Sequence, residues 1–217
     1  MKILLLQVVT PEIADYAQFT VLINAAYAKH RGYDYEIYND VEPARHPSWS
    51  KIKAVRERLE SYDRVFVVDA DAYIQNFEIK VEDFTGKPLK FCKNGDNGGD
   101  LLNAGLFMVD DAPGIHRLLE RWWLNHFGDE RFWEQCALNR LYQNSNGDEF
   151  KKAIDVYPMR AFNSWWRDAV QKFNADQFVI HVMGRSNSHK AQLLEAAYEE
   201  MKVRYPLLDL HVQLLSQ

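Results

Sequence analysis

The apolar positions of the chain follow two rhythms. Ile3 to Val9 is a short apolar run interrupted only at Gln7, as expected of a strand covered on both faces. Thr10-Pro11-Glu12 then reads as a helix start, with Thr10 as N-cap and Pro11 at the first helical position. The helix is predicted from Glu12 to His30, ending at Gly32. Tyr33 to Tyr38 reads as a second strand. Val41 to Ser48, which holds Pro43 and Pro47, reads as a loop, and Ser50 to Ser61 as an amphipathic, charge-rich helix. Arg64 to Val68 is a third strand that runs straight into Asp69-Ala70-Asp71. This β-α-β-loop-α-β order predicts a parallel sheet with helices on both faces.

The second half is more mixed. Leu89 to Cys92 and Leu106 to Val109 read as strands around a polar, Gly-rich loop from Asn94 to Asp100. Pro113 to Phe127 and Arg131 to Asn144 read as helices, and Val156-Tyr157 and Phe178 to Val182 as strands. Ala191 to Tyr205 is a final amphipathic helix stopped before Pro206. No repeat, linker or composition break divides the chain, so a single α/β domain is expected.

Composition narrows the classes. A length of 217 residues suits one sizeable core. A net charge of -5 argues against a nucleic-acid binder, which usually carries a basic field, though a local basic pocket for phosphate remains compatible. Cys92 and Cys136 are the two cysteines and show no CxxC spacing, which argues against a zinc site or disulfide framework and fits a reducing compartment. No apolar run reaches the ~18–20 residues that span a bilayer. Met1 to Leu6 looks faintly like a signal peptide, but Gln7 breaks the run and no small-residue cleavage site follows. A cytoplasmic location is therefore expected.

Val65 to Val68 followed by Asp69 and Asp71 is the most informative stretch. An apolar strand carries two carboxylates to its carboxyl end, where open α/β sheets bind ligands. Read as an extended segment, residues two apart face the same side, so both could converge on one cation. Hard oxygen donors suit Mg²⁺ or Mn²⁺, with phosphate oxygens and water completing the shell. The plainer alternative is a solvated acidic turn. Haloacid-dehalogenase-type phosphatases also place Asp-x-Asp after an apolar strand, the first Asp being the nucleophile. Here two strands precede the pair, Tyr73 stands where that family has Thr or Val, and the acidic loop at Asp96 and Asp100 follows after only about 25 residues.

Several short segments, taken in order, resemble the GT-A glycosyltransferases, and most closely the retaining α-galactosyl and α-xylosyl transferases. They are Trp49-Ser50-Lys51, Phe66 to Ala72 around the Asp-x-Asp, Leu102-Asn103-Ala104-Gly105-Leu106-Phe107, Glu134-Gln135-Cys136-Ala137-Leu138, and Ile180-His181-Val182-Met183-Gly184. The chain is smaller than typical members and lacks their membrane anchor, which suggests a small viral or bacterial version, or a module of a larger glycan-building enzyme.

The resemblance implies a Rossmann-like, mostly parallel central sheet in one domain, residues 1–110 being the nucleotide-binding half and 111–217 the acceptor-side half. It implies a metal held by Asp69, Asp71 and His181, with Asp69 touching either the cation or the ribose. A neutral imidazole favours Mn²⁺ over Mg²⁺. His181 could equally be a core histidine on a strand. The base of the nucleotide is expected over Val8, Val9 and Thr10, with Tyr16 or Tyr38 offering an aromatic face unless they are core. Lys51, Asn103 and Gly105 are expected against the donor, and Gly184, Arg185 and Lys190 against its diphosphate. Asp96 and Asp100 are further candidates for sugar hydroxyls.

Gln135 and Glu134 are the catalytic candidates. In this type of retaining enzyme a Gln or acid steadies a positively charged transition state, and Glu134 is the sole convincing nucleophile nearby. The implied course is front-face substitution, with the leaving diphosphate helping to deprotonate the acceptor. Both residues also fit ordinary exposed positions of an amphipathic helix. Asn163, Trp165, Trp166 and Arg167 are candidates for an acceptor platform, whereas Trp122, Trp123 and Trp133 lie on helical patterns and read as core. The expected function is transfer of glucose, galactose, xylose or a 6-deoxyhexose such as rhamnose from a UDP-sugar to a glycan or glycoprotein sugar. The alternatives are a phosphohydrolase using Asp69, a non-catalytic nucleotide-sugar or glycan binding module, and a nucleotidyltransferase. The last usually carries a Gly-rich basic loop where Thr10-Pro11-Glu12-Ile13 stands.

Overall fold

The structure is a computed structural model, which describes residues 1–95, 101–126, 132–144, 147–166 and 176–206. Strand β1 (Ile3–Val8) is buried throughout. A 3-10 turn, Pro11–Ile13, leads into α1 (Ala14–Arg31). The expected Thr10 cap holds only in part, because its side chain makes no capping hydrogen bond. Gly32 ends α1 as expected: at φ 72° it occupies the left-handed region, and its N–H returns to Ala28 and Lys29 carbonyls. Next come β2 (Asp34–Tyr38), a 3-10 turn at Pro47–Trp49, α2 (Ser50–Arg58) and β3 (Arg64–Val68). The chain continues through β4 (Ala72–Ile74), β5 (Leu89–Lys93), β6 (Leu102–Asp110), α3 (Ile115–Leu124) and α4 (Trp133–Asn144). It closes with α5 (Glu149–Lys152), β7 (Ile154–Tyr157), α6 (Met159–Phe162), β8 (Ser164–Trp165), β9 (Val179–His181) and α7 (Asn187–Arg204).

The main sheet has the order β2-β1-β3-β6-β5-β7. Only β6 runs against the rest, antiparallel to β3 on one side and β5 on the other. The remaining pairs are parallel, so the expectation of a mostly parallel sheet holds. The alternation of side chains builds two cores. Ile3, Leu5, Phe66 and Val68 face a core with Tyr27, Phe178 and Tyr198 from the α1 and α7 side. Leu4, Leu6, Val65 and Val67 face the other, with Trp49 from the 3-10 turn before α2, Trp122 from α3 and Leu138 from α4. This two-sided burial is the reason these strands read as unbroken apolar runs.

A small second sheet, β4-β9-β8, was not anticipated in the sequence. β9 lies within the strand expected over Phe178 to Val182, but β4 and β8 are too short to show a period, and β8 pairs parallel with a strand that follows it in the chain. Its register sets Ala72 opposite His181. The buried amide of Asn24 on α1 holds β4 in place: Nδ2 donates to the Ala72 carbonyl at 3.0 Å, and Oδ1 accepts from Ile74 N–H at 2.8 Å. Among the described residues no helix is long and apolar enough to cross a membrane.

Asn24→Ala leaves two buried backbone groups unpaired, at a cost of about 3 kcal/mol. In a thermal melt we expect Tm to fall by roughly 6–12 °C. An unchanged Tm would show that β4 is held by the sheet alone.

Candidate functional site

The site grows from the end of β3. Asp69 N–H donates to the Gly105 carbonyl at 2.9 Å, and Ala72 N–H returns to the Asp69 carbonyl at 2.9 Å. Asp69-Ala70-Asp71-Ala72 is thus a closed turn, which corrects the expectation of an extended segment. Buried polar side chains brace that turn. Thr20 Oγ1 donates to the Ala70 carbonyl at 2.8 Å, and Gln7 Nε2 to the Asp69 carbonyl at 3.3 Å. Tyr35 Oη in turn fixes Gln7 by donating to its Oε1 at 2.6 Å.

The β4–β9 ladder then brings His181 over the turn. Val182 N–H donates to the Asp71 carbonyl at 2.9 Å. His181 Nε2 lies 3.0 Å from Asp71 Oδ1 and 3.8 Å from Asp69 Oδ2. One ligand atom from each of the three residues lies within 4.8 Å of the others. His181 Nδ1 is 2.9 Å from Asn163 Oδ1. A carbonyl oxygen only accepts, so Nδ1 carries the proton and Nε2 of the neutral ring presents a lone pair to Asp71. Two lone pairs facing at that distance need a proton or a cation between them. Two carboxylates and an imidazole oriented from behind form a donor set that suits a divalent cation.

Two lysines flank the acids. Lys190 Nζ lies 2.6 Å from Asp71 Oδ2. Burial would push the Asp71 carboxyl up, but with a proton on Nε2 the His181 imidazolium, together with Lys190, overrides it and holds the group below the usual carboxylate range. Lys51 Nζ, buried in the first turn of α2, lies 2.8 Å from Asp69 Oδ1 and 2.8 Å from Glu134 Oε1, and donates to the Ala104 carbonyl at 2.9 Å. Burial alone would lower its pKa, yet the two carboxylates raise it. The other Glu134 oxygen, Oε2, is buried and has no partner among the described residues.

β6 completes the floor. Its pairing with β5 jumps from Phe91↔Phe107 to Cys92↔Asn103, so Ala104, Gly105 and Leu106 bulge out of that ladder. α4 takes up a backbone group of the bulge at Ala104 and, beyond it, those of Leu102. Ala104 N–H donates to Gln135 Oε1 at 2.9 Å, Leu102 N–H to Asn139 Oδ1 at 2.6 Å, and Asn139 Nδ2 to the Leu102 carbonyl at 2.9 Å. A Cβ on Gly105 would stand 2.4 Å from His181 Cε1 and 2.7 Å from Asp69 Oδ2. Glycine is what lets β6 pass beneath the cluster.

The structure therefore brings Asp69, Asp71, His181, Lys51, Glu134, Gln135, Gly105 and Lys190 together. Val8 and Thr10 are buried and Val9 half-buried at the carboxyl end of β1. Tyr16 is buried with its ring 5.1 Å from Lys190 Nζ, and burial, then Asp71 and Asp69, push its hydroxyl pKa up. Tyr38 is a core residue whose hydroxyl donates to Glu57 at 3.3 Å. Asn103 is buried, its Oδ1 accepting from Gly105 N–H and its Nδ2 donating to Asn94 Oδ1. Gly184 and Arg185 are exposed just after β9.

Trp165 and Trp166 are half-buried, and Trp166 N–H donates to the His181 carbonyl at 3.0 Å. Asn163, expected at the acceptor, is completely buried behind His181, so it orients the imidazole instead. Trp122 is core as expected and Trp123 half-buried, but Trp133 is 40% exposed, a correction to its reading as core. Asp96, Asp100 and Arg167 lie outside the described residues. Cys92 and Cys136 are free thiols. Sequence reasoning missed Gln7, Thr20, Asn24 and Asn139. Their signal is a buried-face polar residue in an apolar pattern, such as Thr20 and Asn24 one turn apart on α1.

Strand order, site position and crossing β6 define a GT-A type glycosyltransferase fold, and solved structures agree. A glycosyltransferase involved in glycosylation of the major capsid of PBCV-1 superposes with a TM-score of 0.72 at 16% identity, covering 90% of this chain and 100% of the other. GlyE of Streptococcus pneumoniae TIGR4 gives 0.54 at 12% identity, over 95% of this chain and 64% of that one. The galactosyltransferase LgtC, solved with donor and acceptor sugar analogues, gives 0.51 at 12% identity, over 90% and 96%. No protein-family model and no curated protein matches the sequence.

Lys51→Met leaves buried Glu134 and part-exposed Asp69 without their shared cation. Removing one partner of a buried ion pair costs about 3–5 kcal/mol. Urea unfolding at pH 7 should show a loss of that size, and a loss under 1 kcal/mol would mean that Asp69 and Glu134 are solvated well enough without Lys51.

Proposed function

We propose that this chain is a metal-dependent glycosyltransferase that moves a sugar from a UDP-sugar to a glycan acceptor with retention. The observation that carries the proposal is the convergence of Asp69, Asp71 and His181 at the carboxyl end of β3 in a fold shared with glycosyltransferases. Residues 1–110 form the nucleotide-binding half and 111–217 the acceptor-side half. Asp69, Asp71 and His181 would hold the cation, Mn²⁺ by ligand type with Mg²⁺ as substitute. When bound, that cation stabilises negative charge on the departing diphosphate.

The chain's own residues supply the remainder. Val8, Val9, Thr10 and Tyr16 line the end of β1 for the nucleotide. Lys190 lies against Asp71, and with a cation beside that carboxylate its ammonium is available to the diphosphate, joined by Gly184 and Arg185. Glu134 Oε2, buried without a donor among the described residues, accepts from a hydroxyl of the transferred sugar. Gln135 faces that sugar from α4, its position fixed by the bond from Ala104 N–H. Gly105 and Asn103 give the sugar room beside Asp69. Trp165 and Trp166 are the acceptor candidates on the His181 side. The sugar belongs to the class of glucose, galactose, xylose or rhamnose.

Thermal melts with UDP, with Mn²⁺ and with both test the proposal. A ligand at about 100 times its Kd adds roughly 2.7 kcal/mol, or roughly 5–10 °C for a chain of this size. The rise should require both ligands and disappear in Asp71→Ala. No rise with UDP under any metal condition sinks the UDP-sugar reading. Release of phosphate from simple esters, abolished in Asp69→Asn, would instead establish a phosphohydrolase.

A further inference from the structure

We propose that the stacked rings of His46 and Trp133 form the platform on which the acceptor sugar lies. The inference rests on the transferase reading and gives it a second substrate site. His46 and Trp133 stack with centroids 3.5 Å apart and ring planes 4° from parallel. Other close stacks, such as Phe66 with Phe178, lie within the core, whereas this pair is in the open. Trp133 keeps 40% of its surface and His46 is exposed.

Its position fits the chemistry. The contacts Lys190–Asp71–His181–Asp69–Lys51–Glu134 run as one chain across the site. The diphosphate residues Gly184, Arg185 and Lys190 stand at one end. Glu134 stands at the other, and Trp133 is its neighbour in sequence. His46 sits before the 3-10 turn that leads into α2 and Lys51. In front-face substitution the acceptor lies over the transferred sugar with its hydroxyl turned toward the diphosphate, and the stack borders the Glu134 end of that sugar.

The backbone supports the same reading. Trp133 has φ 40°, the one non-glycine positive φ among the described residues. A bulky side chain there is strained, and such strain gathers at working sites. It sets Trp133 out onto His46, while Glu134 is buried against Lys51. The apolar C–H face of a pyranose packs on an aromatic ring. His46 Nδ1 accepts from Ser48 N–H at 3.3 Å, which leaves Nε2–H of the neutral ring to donate to a sugar hydroxyl. Partial burial, opposed by Glu134 and reinforced by Lys51, holds the His46 pKa below its ordinary value. On the other candidate surface, Trp165 already lies along the Gly95 backbone, where a Cβ would be 3.1 Å from its ring.

The test is saturation-transfer NMR with methyl gluco-, galacto-, xylo- and rhamnopyranosides, in the presence of UDP and Mg²⁺. Wild type should saturate protons on one ring face of at least one glycoside. His46→Ala, which leaves α4 untouched, and Trp133→Leu, which keeps bulk without the ring, should each weaken that binding by roughly five- to ten-fold. No saturation in wild type, undiminished signals in both stack variants, or loss in Trp165→Ala alone would each overturn the platform. The UDP thermal shift, read on the same samples, reports the donor site separately. A missing shift with glycoside signals that follow the stack would remove the UDP-sugar reading and leave the sugar platform standing.

Discussion

Three carboxylates meet where β3 ends, and their mutual repulsion is the constraint around which the site is arranged. Asp69, Asp71 and Glu134 come from two distant parts of the chain, and water is largely excluded around Asp71 and Glu134. Like charges gathered in such a place are unfavourable unless cations are interleaved. The chain interleaves them with Lys51 from α2, between Asp69 and Glu134, and Lys190 from α7, on Asp71. One face is left for an external cation, where His181 Nε2 and the two aspartates converge. Each lysine reaches in from a helix on a different face of the sheet, so closing both faces also completes the charge pattern.

Neutral polar groups hold the acids in position. Gln7, Thr20 and Asn24 take up the carbonyls of the Asp69–Ala72 turn, so an acidic loop becomes a fixed one. Asn163 sets the proton on the far side of His181. The β6 bulge removes a backbone partner from Ala104, which Gln135 replaces, and one helical turn along α4 Asn139 holds the backbone of Leu102. Gln135 thus has a structural bond whatever else it does. Because each buried backbone group needs a partner, the route of β6, the place of α4 and the direction of Glu134 depend on one another.

Much of the fold was legible along the chain. Arg64–Val68 was expected and observed with the same bounds, because full burial on both faces selects an unbroken apolar run bounded by polar residues. Gly32 was readable as a helix end because left-handed backbone favours glycine. The strand at Phe178 to Val182 was also readable, and β9 lies within it, whereas β4 and β8 span two or three residues, exist through pairing with β9 and were not readable. The site divides in the same way. Asp69, Asp71, Lys51, His181 and Glu134 stood out as charged or titratable residues within recognisable patterns. Asn163 was placed at the acceptor because nothing local shows that its amide turns inward. Trp133 was read as core because helical spacing says nothing of a positive φ at the first turn.

By itself the sequence determined the mostly parallel α/β sheet, the carboxylates at the end of its third strand, and the order of the segments that supply their partners. These are local properties, set by apolar period, turn chemistry and the ionisable groups a strand delivers. Tertiary structure alone decided that Asp69 to Ala72 is a turn, that His181 lies across it with its Nε2 inward, that Lys51 bridges two acids, and that Trp133 stacks on His46 in the open. Those facts depend on contacts between residues far apart in the chain. Such contacts are selected by the pairing of buried polar groups and the space beside Gly105, and no stretch of sequence read alone contains them.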